Sequence, residues 1–439
     1  MNPILPIFLI LPALFKKGSR DVKAQSDVER FIGKAKVFDS KVGKVDPLLK
    51  ELIQRKQVDR GRFIVFAKNL EEDVQVLDES GYKVVENLPF IDAYIIEGSA
   101  KNVDSLANID DIHYIMCDTM VTSHMNVVGK SLEVNRFHNS NVKGKGVTIA
   151  VLDTGVFPHV DLTVPKSRII AFKDFINKKR NPYDDNGHGT FVAGVAAGNG
   201  FASNGKYKGV ATDANIVGVK VMNKNGSGNV SDILAGMQWV VNQKEKYDIK
   251  VMSLSFGVNA KNIKGIDALT IAVEEVWRRG ITVVASAGNE GPEQRTITSP
   301  GGSPSIITVG ALDDKRTVDI GDDVVADISS RGPSYVGGIK PDLVAPGINI
   351  TSLNAVANAN SNDYVLDADE AYRTMSGTSV SAPIVSGVVA LMLEQDKELS
   401  PDRIKKVLLD CAKNMKEGRN VSGYGRVWLE KLMELDKVG

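Results

Sequence analysis

Three short blocks in this chain carry residue types that can do chemistry together: Val-Leu-Asp153-Thr-Gly, Asn-Gly-His188-Gly-Thr and Ser-Gly-Thr-Ser379-Val-Ser-Ala-Pro. A serine hydroxyl is a weak nucleophile until an adjacent base takes its proton. An imidazole base in turn needs a carboxylate to hold its tautomer and stabilise the imidazolium. Asp, His and Ser in this order, each set among glycines, supply the three groups. Asp-Thr-Gly is also the signature of aspartic proteases, which require two carboxylates sharing a proton. The chain has one such triplet and no second copy, and that reading leaves His188 and Ser379 unexplained. His113, His124, His138 and His159 have no comparable setting and are assigned no chemistry.

Elements that could position these residues follow from the apolar patterning. Val147–Leu152, Asn215–Val221, Val251–Ser255 and Thr282–Ala287 are near-continuous apolar runs, as parallel strands buried on both faces require. Helical segments such as Val230–Tyr247 and Asp267–Arg279 alternate with them. The pattern predicts an α/β fold: a parallel sheet flanked by helices, joined by right-handed crossovers. Functional groups in such sheets collect at the carboxyl ends of strands, and Asp153 stands just beyond Val147–Leu152. Ser379 precedes an apolar helical pattern that runs to about Leu393. Its place at a helix amino terminus puts unpaired N–H groups and the positive dipole end beside its hydroxyl, where an oxyanion would develop. The competing reading, a serine that merely caps the helix, does not account for its partners; for Ser376 and Ser381 a structural role is the default.

At 439 residues the chain has room for two or three domains. The net charge is zero, but it is unevenly spread. Residues 16–60 carry a net +6, residues 61–120 a net −8 and the remainder +2. Such asymmetry marks separate modules, and the division it predicts is an N-terminal extension over 1–60, a small domain over 61–120 and the main domain over 121–439. Within the small domain the order is β-α-β-β-α-β: Arg62–Ala67, helix Glu71–Ser80, Lys83–Leu88, Asp92–Glu97, helix Ala100–Ala107 and Ile112–Met116. That order predicts a ferredoxin-like α+β sandwich. The overall neutrality gives no ground for nucleic acid as a partner. Cys117 and Cys411 show no metal spacing and read as free thiols. The apolar run over residues 1–15 is too short to span a membrane. Its lysines follow it, whereas a secretory leader places them ahead, so a cytoplasmic location is favoured over a secreted one.

The three blocks resemble those of subtilisin-like serine proteases (subtilases), over roughly Val121 to Gly439. Ser-Ala-Gly-Asn289-Glu-Gly, Ser-Ser-Arg331-Gly-Pro, Lys-Pro-Asp-Leu-Val-Ala-Pro-Gly and Gly-Tyr-Gly-Arg-Val are further blocks of the same kind. The resemblance implies Ser379 as nucleophile, His188 as general base and then acid, Asp153 as orienting carboxylate and the Asn289 amide as oxyanion donor. It implies that Ser253, Leu254 and Ser255 offer backbone groups to an extended peptide. With Ala285, Ser286 and Ala287 they would wall the primary specificity pocket, with Thr298 near its base. A base bulkier than glycine implies cleavage after medium apolar residues. Residues 61–120 resemble the propeptide inhibitor of such enzymes, and the connection through Tyr114–Ser123 would cross the cleft in extended form. The implied partners are protein or peptide substrates and the chain's own propeptide, in a self-processing zymogen.

Departures from the family pattern are few. Phe191 follows His-Gly-Thr where histidine is common, and Thr212 stands in place of a proline. The segment 198–209, where many relatives hold structural calcium, has no carboxylate and two lysines. Calcium prefers six to eight oxygen ligands, often carboxylates, so no site is expected there and Asp161 loses its partners. No cofactor is required. A non-enzymatic binding scaffold of the same fold is the alternative; loss of Asp153, His188, Asn289 or Ser379 would favour it, and all four are present.

Overall fold

The computed structural model describes residues 43–55, 58–67, 77, 81–109, 111–123, 139–259, 263, 267–315, 317, 321–355 and 368–434. The apolar run over 1–15, the extension up to residue 42 and, apart from Leu77, the expected helix Glu71–Ser80 lie outside these. The first sheet is antiparallel, with β1 (Arg60–Ala67), β2 (Lys83–Leu88), β3 (Ala93–Ser99) and β4 (Ile112–Cys117) in the order β2-β3-β1-β4. From Phe63 on, both faces of β1 are buried, and there its sequence is an unbroken apolar run. Phe63 and Val65 pack with Tyr94, Val103 and Leu106 inside the module. Ile64 and Phe66 face the other way and join the core of the main domain.

This module starts earlier than the charge pattern implies. Residues ahead of 61 belong to it: Val45 and Leu49 enter the same cluster as Phe63, and Val45 bridges Ile115. The helix Pro47–Gln54 has a local cause. Asp46 caps it by accepting from the Leu48 and Leu49 N–H groups, and proline occupies its first position. The net charge of residues 16–60 concealed that helix.

The main sheet has parallel strands in the order β7 (Ile169–Asp174), β8 (Asn215–Lys220), β6 (Thr148–Asp153), β10 (Ile249–Leu254), β12 (Thr282–Ser286) and β13 (Ile307–Asp313). Beyond them β15 (Leu343–Pro346) pairs with β13 in parallel and β14 (Val324–Val325) pairs with it antiparallel. The connection from β6 leads to β7 on one side and that from its neighbour β10 to β12 on the other, so the switch point lies between the carboxyl ends of β6 and β10. Asp153 ends β6 there. The helix Thr378–Gln395 is apolar all round because it is buried. Gly387 brings it against the helix His188–Ala197: a Cβ there would lie 2.9 Å from the Ala196 carbonyl and 2.5 Å from Val210 Cβ.

A third, three-stranded sheet joins the two parts of the chain. β5 (Met120–Ser123) lies antiparallel between β9 (Ser227–Asn229) and β11 (Phe256–Gly257). Just before it, the Asp118 carboxylate accepts from Ser231 N at 2.8 Å and from the Ser231 hydroxyl, at the first turn of the helix Val230–Tyr247. Burial raises the Asp118 carboxyl above its ordinary range, against the pull of those bonds and of Arg62. Arg62 lies 3.6 Å from Asp118 and 3.4 Å from Asp232.

Candidate active site

Asp153 closes β6 and is fully buried; His188 is the first residue of its helix and equally buried. The two meet at 2.7 Å, Nδ1 to Oδ1. A carboxylate can only accept, so Nδ1 carries the proton of this bond, and in the neutral imidazole Nε2 is then the nitrogen with the free lone pair. Nε2 is shielded from solvent and has no hydrogen-bond partner. A base in that state is ready for a hydroxyl proton, and such contacts often tighten only once substrate is bound. The glycine before His188 takes φ 92°, a left-handed turn that starts the helix. Gly189 permits the closest approach, since a Cβ there would stand 2.1 Å from the Gly155 carbonyl.

The turn ahead of His188 is organised by Asp184. One of its oxygens accepts from Gly187 N at 2.7 Å, Asn186 N and the Thr154 hydroxyl; the other accepts from Thr190 N and its hydroxyl. Thr154 in turn accepts from Gly189 N at 2.9 Å. Asp184 and Thr154 therefore tie the Asp153 strand to the His188 helix. The signal available in sequence was an Asp a few residues ahead of a helix start, the usual capping pattern.

Ser379 is the second residue of the helix Thr378–Gln395 and is fully buried. Pro383 sits four residues on and has no N–H, so the helical bond to the Ser379 carbonyl is missing. The Ser255 hydroxyl replaces it, donating to that carbonyl at 3.0 Å. Asn289 lies beyond β12. Its Oδ1 accepts from Thr378 N and the Thr378 hydroxyl, both at 2.9 Å, which fixes the amide so that Nδ2 faces away. Nδ2 is buried and unpartnered. Asn289 thus carries a fixed donor with nothing to donate to, on a side chain anchored to the residue before Ser379.

The expected substrate-binding residues divide. Ser253 and Leu254 spend their backbone groups inside the sheet, paired with β6 on one side and β12 on the other. Pairing with the extended segment β5 falls instead to Phe256 and Gly257. Ser253 and Leu254 close β10, and Ser255 stands where the chain leaves the sheet, next to the segment that pairs with β5. Ser255 anchors Ser379, and Ser253 receives a hydrogen bond from Ser386. Ala285 and Ser286 end β12, and Ala287 accepts from Thr298 N at 3.0 Å. The Thr298 side chain fills the space between Gly257 and Gly288, where an added Cβ would lie 2.3 and 2.6 Å from it.

Asp161 is buried and fully engaged. It accepts from Gly200 N at 3.0 Å, Ala202 N at 2.9 Å and the Tyr372 hydroxyl at 2.7 Å. His159 acts locally, accepting from Asp161 N and reaching the Ala371 carbonyl. Lys220, also buried, binds Asp185 at 2.6 Å and the Thr154 and Met222 carbonyls. None of these contacts resembles a metal site, and no group of three or more His, Cys, Asp or Glu residues suited to a metal occurs among the described residues.

A buried Asp–His pair at the switch point of a parallel sheet, in a chain that also sets a buried serine at a helix amino terminus, is the arrangement of a class: the subtilisin-like serine proteases. The chain belongs to the subtilase family, whose profile it matches over residues 144–426. It is 46 % identical over 302 residues to the serine protease AprX of Bacillus subtilis, a match covering 66 % of each chain. To the M-protease of Shouchella clausii it is 30 % identical, over 82 % of this chain and 86 % of that one. Among solved structures, fervidolysin from Fervidobacterium pennivorans shares the fold with a TM-score of 0.70 at 24 % identity, covering 86 % of this chain and 61 % of the other. Sphericase matches with a TM-score of 0.54 at 31 % identity, over 65 % and 92 %.

Proposed function

We propose that the chain is a serine endopeptidase that works through an acyl-enzyme and is made as a zymogen. The observation that carries this reading is the 2.7 Å Asp153–His188 bond, which leaves the buried Nε2 unpaired; the Asn289 amide, bound to Thr378 next to Ser379, has an unpaired Nδ2 as well. Ser379 Oγ bonds to the substrate carbonyl carbon while its proton passes to His188 Nε2. The carbonyl electrons move onto oxygen, where Asn289 Nδ2 and the Ser379 N–H donate to them. The C–N bond then breaks, and His188 gives its proton to the departing amine. Water repeats the sequence to release the acid and restore Ser379. Asp153 stays ionised and stabilises the imidazolium throughout.

The zymogen reading is supported by β5, which occupies the slot between β9 and β11 as an added strand. Extended peptides bind edges in this way, so a substrate has to displace β5. The body of the inhibitor, residues 44–117, is seated by Asp118 at the amino end of one helix and by the Phe90 N–H, which donates to Gln238 at 3.4 Å.

Thr298 supports a shallow primary pocket that takes medium apolar residues. A peptide library cut by the mature enzyme tests this: Leu, Met and Ala before the cut bond should dominate, and a profile dominated by Lys, Arg or Asp overturns it. Thr298→Gly should raise kcat/KM for Phe and Tyr by roughly 10-fold, the scale on which small changes in pocket volume act.

The loop 198–209 replaces a calcium ion with protein hydrogen bonds, its N–H groups and Tyr372 satisfying Asp161. EDTA should therefore leave Tm unchanged within about 2 °C, whereas Tyr372→Phe should cost roughly 1.5–3 kcal/mol of stability, the scale of a hydrogen bond to a charged group. A drop in Tm above about 10 °C on chelation would contradict this account.

A further inference from the structure

Arg373 stands beside His188 with donors that no protein group uses. It lies on β17 (Tyr372–Met375), six residues before Ser379. Its guanidinium rests on Gly187: a Cβ built there would be 3.2 Å from Nη1 and 3.3 Å from Nη2. The Phe191 ring packs against it, with its centroid 5.9 Å from Cζ. Nε and Nη2 are shielded from solvent and unbonded, although the residue as a whole is only partly buried. Burial makes its charged form less favourable, and the carboxylates that offset this are Asp184 and then Asp153. Asp184 is engaged with the turn before His188, and Asp153 binds His188 and Thr154 N through Oδ1, its Oδ2 having no hydrogen-bond partner. The cation is thus held by packing and by negative charge at a distance. An apolar side chain would fill the same space without the cost of unpaired donors. The fold does not require an arginine here.

Its position identifies which part of a substrate it would meet. β5 runs toward Ser255 and so approaches Ser379 from the amino-terminal side of a bound peptide. β17 and its partner β16 (Ile350–Leu353) stand instead on the His188 helix, where the Ser352 hydroxyl donates to the Phe191 carbonyl. A peptide that enters along β5 would therefore carry the residues after its cut bond toward the His188 helix, where Arg373 stands on Gly187.

We propose that Arg373 is a specificity-determining residue that binds the side-chain carboxylate of an Asp or Glu within the first two residues after the cut bond. The guanidinium fork matches a carboxylate in shape and charge. This inference rests on the serine-protease reading above, and the test separates the two. The mature enzyme is given fluorogenic peptides with identical residues before the bond and Asp, Asn or Lys at the first or second position after it. All carry amidated ends, so that the side chain supplies the sole carboxylate. Wild type should cleave the Asp peptides with kcat/KM about 10–100-fold above the Asn peptides, the scale of a charged hydrogen bond, and the Lys peptides least well. Arg373→Gln should remove that preference while leaving the Asn peptides within about 3-fold of wild type. Arg373→Lys should keep an intermediate preference. Equal rates for Asp and Asn in wild type overturn the inference, and need no variant to fold. A uniform loss on all peptides in Arg373→Gln also overturns it, because a merely structural arginine would behave that way. No cleavage of any peptide by wild type overturns the serine-protease reading, and this inference with it.

Discussion

Ser379→Ala lowers kcat for peptide hydrolysis by on the order of 10⁶-fold and leaves the chain at full length. The size follows from the way the set acts: loss of the nucleophile alone removes nearly everything that loss of the whole triad would, as the handling of subtilisin by the same chemistry shows. What remains comes from the oxyanion donors and from binding. Ser379 is fully buried and its backbone is held by Ser255 and by the helix. Removing one hydroxyl therefore leaves the fold intact, and an unchanged Tm checks this. On the proposed intramolecular route processing stops for the same reason, since β5 belongs to the chain that carries the serine. Activity is read with casein and processing with the mass of the purified chain. Normal self-processing in this variant would contradict the intramolecular route.

Asn289→Ala lowers kcat by about 10²–10³-fold with little change in KM, equivalent to about 3–4 kcal/mol of lost transition-state stabilisation. The asymmetry between kcat and KM is the informative part. Asn289 Nδ2 has no partner at rest, so its bond forms only as negative charge grows on the substrate oxygen. An interaction made only in the transition state changes kcat and not ground-state binding. The variant also removes the acceptor for Thr378 N and its hydroxyl, which adds a stability cost. Asn289→Asp separates the two effects, because it keeps an acceptor for Thr378 but puts negative charge where the oxyanion forms. Activity should be lower in the Asp variant than in the Ala variant. Equal activity in wild type and Asn289→Ala would remove Asn289 from the mechanism.

The legible parts of this molecule are those governed by periodicity and by short blocks. The helix Val230–Tyr247 has the limits its apolar pattern predicts, and β6 ends in Asp153 as a strand feeding a switch point should. The missed parts are those where one residue's role depends on a distant one. Ser255 anchors the nucleophile only because Pro383, more than a hundred positions away, leaves a carbonyl without its helical partner. Asp184, Thr154 and Thr378 bind across segments that the sequence keeps apart. Arg373 is visible only once β17 is seen against Gly187. The misplaced module boundary has a different cause. Net charge is a property of surfaces, whereas Val45 and Leu49 reach the core through a capped helix in an otherwise basic stretch.

The central claim is that Ser379 is a nucleophile activated by His188. An active-site-directed fluorophosphonate tests it most directly, because it bonds covalently only to a serine whose proton is being removed. With the mature protein at neutral pH, peptide mapping should find one phosphonylated residue, Ser379. Ser379→Ala should abolish the label and His188→Ala should nearly do so. Full-length Ser379 protein with β5 still seated should label far more slowly than the mature form. Absence of label on mature wild type, or label on another serine with Ser379 unmodified, would contradict the account.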